Sequence, residues 1–254
     1  MGNLGKRLSV LFLLFGFWSA PVRAQSPATA PDELKEVLRE IEAAANRQDV
    51  AGVMEYYSPE FENTDGLVYP TVEAALTKLW ERYPRLGYTI ELQSWERAGR
   101  ELVAETVTQI SGSEEIEGRL MKLDSNIRSR QYFQGDKLVR QEILTERTEV
   151  TAGDNPPEVD VNLPEEVRVG QEYNFEVIVQ EPLGNNVLLG GAKEEQVNGD
   201  RYLTPGTFDL EVLPGGGIFK LVSAPYFPDY HWLSAILLQG DGMRITTHRV
   251  RIKN

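Results

Sequence analysis

The chain has 254 residues, 41% hydrophobic and 9% aromatic, with a formal net charge of −13. Those values suit one large or two ordinary packed domains and argue against general disorder. The acidic balance disfavours nucleic acid or anionic lipid as a partner, and the lack of cysteine excludes disulfides, thiolate metal sites and cysteine nucleophiles.

Lys6 and Arg7 precede the apolar run LSVLFLLFGFWSA, and Val22-Arg23-Ala24 follows it. A basic start, a short apolar core and a small-residue exit predict a secretory leader over residues 1–24, cut after Ala24. The apolar run falls short of the roughly 20 residues a spanning helix needs, so no membrane span is expected once the leader is removed. The expected location is a periplasm or comparable lumen, or the exterior. Loss of Lys6, Arg7 and Arg23 would take the net charge to −16. QSPATAP, residues 25–31, reads as a flexible linker.

PDELKEVLREIEAAANRQ then predicts a helix. Pro31 suits its first turn, Asp32 and Glu33 favour the positive end of the dipole, and Leu34, Val37, Leu38 and Ile41 form one apolar stripe. Asp49 is expected to cap a second, short helix through Val53 and Met54 to Tyr57. A third is expected after Pro70, capped by Thr71, with Val72, Ala75, Leu76, Leu79, Trp80 and Tyr83 on one face and Pro84 ending it.

From Tyr88 the apolar period changes to two. YTIELQ and AGRELVAETVTQI suggest a hairpin about Gly99, and a long strand from Ile116 to Phe133 is turned by Gly135-Asp136 into KLVRQEILTERTEV. A central two-residue turn would set Tyr132 opposite Val139, Arg130 opposite Gln141 and Arg128 opposite Ile143. Residues 32–152 thus read as an α+β domain, three helices on one side of a bent antiparallel sheet.

TAGDNPPEVD breaks the pattern, and residues 153–254 carry no convincing helical stripe. Turn signals at Val169-Gly170, Gly184-Asn185-Asn186, Gly190-Gly191, Asn198-Gly199, Pro214–Gly217 and Gly240–Gly242 separate EYNFEVIV, TFDLEV, GIFKLVS, HWLSAILL and MRITTHRVRI. Short strands at that spacing suggest an all-β, immunoglobulin-like sandwich.

The order of helices, DVAGVMEYYSPEF, a third helix and four long antiparallel strands resembles the nuclear transport factor 2-like superfamily, which includes ketosteroid isomerases and SnoaL-type polyketide cyclases. The resemblance covers roughly residues 32–150. It implies a curved sheet wrapped around a helix as a cone with a mostly apolar pocket, and a homodimer formed through that sheet. It also implies a catalytic role for Asp65, which stands eight residues after Tyr57 as the isomerase aspartate follows its helix-ending aromatic. That chemistry needs oxyanion donors, each worth about 3 kcal/mol or more. The matching positions are Ile41, which cannot donate, and the neighbourhood of Ser129, flanked by Arg128 and Arg130.

Tyr57, Asp65, Tyr69, Trp80, Tyr83, Arg128 and Arg130 are therefore the candidate pocket residues, with Asp65 the candidate base. Asp65, Asp124 and Arg128 or Arg130 also supply the residue types of an epoxide-hydrolase set, without diagnostic spacing. The two histidines, His231 and His248, lie in the second domain and leave the first without a histidine base or metal ligand. LPGGGIF lacks the lysine and following helix of a phosphate loop and reads as a turn, while APYFPDYHW suits sandwich structure or an exposed aromatic patch. No cofactor and no metal are expected. The leading expectation is a non-catalytic binding or assembly protein, with a small apolar ligand in the first domain and a protein partner for the second. An isomerase- or cyclase-like enzyme acting on an apolar carbonyl compound, with Asp65 as general base, is the alternative.

Overall fold

A computed structural model describes residues 24–254 apart from 117, 182–186 and 205. The expected leader, apart from Ala24, and the expected turn at Gly184–Asn186 lie outside the described residues. Among the described residues no helix is long and apolar enough to cross a membrane.

Residues 25–31 form a strap instead of a free linker. Gln25 exchanges two backbone hydrogen bonds with Trp95 (2.8 and 3.2 Å), and Pro27–Thr29 make a 3-10 turn. Trp95 Nε1 donates to Thr29 Oγ1 at 3.2 Å, and Ala30 is buried. Helix α1 (Asp32–Asn46) buries Leu34, Val37, Leu38 and Ile41, the expected stripe. Asp49 accepts from Gly52 N at 2.9 Å and caps α2 (Val50–Met54). Strand β1 (Tyr57–Asn63) follows, then α3 (Tyr69–Arg82). Helix α3 begins ahead of the expected start. Val68 is its N-cap, and Thr71, at the third helical position, reaches back to accept from Val68 N at 2.8 Å.

Four long strands, β2 (Leu86–Ala98), β3 (Glu101–Ile116), β4 (Arg119–Gln134) and β5 (Lys137–Ala152), make the curved antiparallel meander. The Gly135-Asp136 turn is central, with Gln134 opposite Lys137. Irregularities near Val139 and Leu144 then shift the ladder, so Tyr132 faces Arg140, Arg130 faces Glu142 and Arg128 faces Thr145. Each bulge adds an unpaired residue to one strand, which displaces the expected pairs and bends the sheet. Strand β1, which the periodicity did not predict, runs parallel to the first half of β5.

After Ala152 the chain turns at Gly153 (φ +83°), where a Cβ would lie 2.2 Å from the Asp241 carbonyl oxygen. The remainder is mostly strand: β6 (Val159–Asn162), β7 (Glu166–Arg168), β8 (Glu172–Val179), β9 (Leu188–Gln196), β10 (Glu211–Val212), β11 (Gly217–Ser223), β12 (Asp229–Gln239) and β13 (Gly242–Lys253). One short helix, α4 (Gly199–Leu203), interrupts it. Strands β11, β8 and β6 make a small second sheet. Its Phe175 and Val177 pack with Leu233, Leu237, Val250 and Ile252 of β12 and β13.

The two regions are not joined by a linker alone. Strand β13 pairs with the second half of β5, from Met243 opposite Ala152 to His248 opposite Arg147, so one ten-stranded sheet runs through both. The reason lies in β5, whose first half is covered by β1 and whose second half would otherwise be an open edge.

Candidate functional site

The turn that ends β1 aims one carboxylate at the C-terminal region. Asn63 Oδ1 accepts from Asp65 N (3.0 Å) and Leu67 N (2.9 Å), Gly66 N donates to Asn63 O (3.1 Å), and Gly66 takes φ +81°. A residue with a free φ is needed there because the chain reverses within four residues. The Asp65 side chain is 0% exposed.

Arg249 of β13 closes on it. Its Nη1 donates to Asp65 Oδ1 at 2.9 Å and its Nη2 to Oδ2 at 2.6 Å. Tyr202 of α4 donates to Oδ2 at 2.6 Å. Arg249 also reaches Glu146 Oε2, from Nη2 at 3.3 Å and Nε at 3.4 Å, and Trp232 Nε1 donates to the same oxygen at 2.9 Å. The guanidinium lies 5.3 Å from the ring centre of Tyr230 and 5.9 Å from that of Trp232. Burial alone would lower the Arg249 pKa, but the Asp65 hydrogen bond and the Glu146 charge outweigh it and raise the value, so the cation is retained. Burial first, then the Glu146 and Asp65 charges, push the Tyr202 phenol well above its ordinary range, so it remains a donor. One guanidinium thus serves two carboxylates in a site that excludes bulk water.

Beside this cluster is a partly open cavity of about 310 Å³ between the helices and the concave face of the sheet. Its apolar wall comes from Ile41 and Ala45 of α1, Val53 of α2, and Val72, Ala75, Leu76 and Leu79 of α3. Its sheet side mixes Ile90, Ile127 and Ile143 with the hydroxyl or amide groups of Thr108, Ser129, Gln131 and Gln141. Ser129 Oγ lies 3.2 Å from Thr106 Oγ1 and accepts from Gln141 Nε2 at 3.3 Å, and Thr106 donates to Gln131 Oε1 at 3.3 Å. Tyr57 and Tyr88 also line it. Burial pushes the Tyr57 phenol up to about 12. Burial also raises Tyr88, partly offset by the hydrogen bond from Trp80 Nε1 at 2.8 Å. Glu146 and Tyr202 complete the end nearest the cluster, so both regions of the chain build this wall.

The residues singled out from sequence are dispersed relative to this cavity. Tyr57 lines it. Asp65 does not; it is sealed behind Tyr202, with both oxygens engaged, so a free general base at this position is corrected to the acid of an ion pair. Tyr69 packs against the core, Trp80 lies behind Tyr88, and Tyr83 is the C-cap of α3, with Arg82 over its ring. Arg128 and Arg130 are placed outside the cavity. Strand alternation turns Ser129 inward and its two neighbours outward, where Arg128 pairs with Glu105 and Arg130 stands 3.5 Å from Glu142. Asp124 and His248 line a second, charged groove that shares Glu146 with the cavity. His231 sits between Glu194 (2.5 Å) and Asp229 (3.4 Å), and His248 Nε2 lies 2.8 Å from Thr246 Oγ1. Among the described residues no group of three or more metal-ligating side chains is assembled. Arg249, Tyr202, Glu146, Gln131 and Gln141 are functional candidates that only the structure brings forward.

Residues 154–253 match the model of a domain of unknown function, DUF8623. No curated protein matches the chain. Among solved structures, Bd1075 of Bdellovibrio bacteriovorus is 15% identical with a TM-score of 0.33, covering 44% of this chain and 39% of that one. An uncharacterized cystatin-fold protein of Novosphingobium aromaticivorans is 20% identical with a TM-score of 0.31, covering 42% and 94%. An epoxide hydrolase of M. tuberculosis is 9% identical with a TM-score of 0.32, covering 44% and 84%.

Proposed function

We propose that the chain is an exported, non-catalytic binding or assembly protein. Its N-terminal region, read as nuclear transport factor 2-like, would hold a small apolar molecule. Its C-terminal region, read as an immunoglobulin-like sandwich, would meet a protein partner. One observation carries the preference for binding over turnover: both oxygens of Asp65 are taken by Arg249 and Tyr202. An enzyme using Asp65 as base would first have to release a buried ion pair, a step that typically costs several kcal/mol. The apolar helical wall over a floor of isoleucine, amide and hydroxyl groups suits capture of a small molecule. Cleavage after Ala24 would leave Gln25, which bridges to Trp95, as the first residue.

Native mass spectrometry of the purified protein tests this reading. A retained small-molecule adduct supports it, and a protein that takes up no small molecule across a panel of apolar compounds overturns it. The same spectra report whether the chain forms the homodimer that the resemblance implies, and intact mass reports the leader cut.

A further inference from the structure

We infer that the cavity selects an apolar molecule carrying a protonated amine, seated on Glu146. This rests on the binding reading above and names the class of ligand.

Glu146 is the only charged side chain on the cavity wall among the described residues, which place no lysine or arginine there. Its direction follows from the ladder. Glu146 faces Ile127 across β4 and β5, cross-strand partners share a face, and Ile127 lines the cavity. Three donor contacts reach Glu146, and all three meet Oε2. No protein group among the described residues donates to Oε1.

The charge count points the same way. Arg249 is the one cation shared by Asp65 and Glu146, whose side chains are 0% and 13% exposed. Its donors are already directed at Asp65 and Glu146. The cluster is therefore one cation short, and even a partly buried carboxylate without full pairing is costly. An ammonium at Oε1 would supply the missing charge through a charge-assisted hydrogen bond, which is stronger than a neutral one. The Tyr57, Tyr88 and Tyr202 rings line the same cavity and offer further contact for an organic cation. A carboxylate ligand meets the opposite situation, with repulsion from Glu146 and no free cation to receive it.

Titration calorimetry of the protein at pH 7 with octylamine, octanol and octanoate separates the outcomes, because the three share one apolar chain. Octylamine should bind at least about tenfold more tightly than octanol, the scale of one charge-assisted hydrogen bond, and octanoate more weakly than octanol. Glu146→Gln should bring octylamine to the level of octanol. The ranking on the unaltered protein decides the matter even if that variant folds poorly. Octanol binding as tightly as octylamine would overturn the amine preference and leave the binding reading standing. Failure of all three to bind would overturn both.

Discussion

The guanidinium of Arg249, on the last strand, holds both carboxylate oxygens of Asp65, on the turn that ends the first strand, across 184 positions of sequence. Both side chains are fully buried. A contact of this kind couples the two regions of the fold, since neither β13 nor the Asn63–Leu67 turn can move without exposing or orphaning a charge. Removing one partner of such a pair usually costs more than the intact pair contributes.

Arg249→Met should therefore lower stability by about 3–5 kcal/mol, because it leaves the buried Asp65 and the partly buried Glu146 without their cation. Combining it with Asp65→Leu should recover part of that loss. Urea denaturation of the two single variants and the double variant reads the coupling directly. A loss below about 1 kcal/mol for Arg249→Met would show that the ion pair does not hold the regions together.

The protein should lose stability as pH falls from about 6.5 toward 4, in part through His248. Burial first and the Arg147 charge second depress its pKa to about 4, with Glu149 opposing. A depressed folded value means that the unfolded chain takes up a proton first, so the stabilisation is complete above the unfolded value and is lost on acidification. The expected loss from this group is about 2 kcal/mol by pH 5. His248→Gln should flatten the stability profile between pH 5 and 7, and an unchanged slope would count against this assignment.

His231 should act with the opposite sign. Burial opposes its protonation, but the hydrogen bond and charge of Glu194, with Asp229 behind them, raise its pKa overall. Its contribution is present below the unfolded value and fades as pH rises through the raised one. Proton NMR titration should show one histidine above the ordinary imidazole range and one well below it, and the upper resonance should vanish in His231→Gln.

Ala75→Phe should place a ring in the cavity from α3. The expected cost in stability is small, on the order of 1 kcal/mol, because the ring enters existing space and does not displace packed side chains. Binding of octanol and octylamine should be lost together. Retained binding with a folded variant would place the ligand elsewhere.

Deleting residues 25–30 should cost about 1–3 kcal/mol, because it removes the two Gln25–Trp95 backbone bonds and the Thr29 partner of Trp95 Nε1. Thermal denaturation checks it, and an unchanged transition would return this segment to the status of a linker.

Local chemistry determined much of the architecture from the sequence alone. The stripe Leu34, Val37, Leu38 and Ile41, the Asp49 cap and the Gly135-Asp136 turn all specify structure within a few residues of themselves, and the α+β meander follows from them. The placing of β13 on β5 carries no such mark, since β-pairing depends on an edge exposed only after the meander has formed. The bulges at Val139 and Leu144 were equally hidden, because alternation predicts faces but not where an extra residue is inserted. Asp65 was singled out by its spacing from Tyr57, yet neither its turn nor its partner was legible. In THRVRI, Arg249 reads like any other charged strand residue beside Arg251, and only the tertiary fold buries the first and leaves the second at the surface. A buried charge is settled by what surrounds it in space, which here comes from residues 65, 146, 202 and 232.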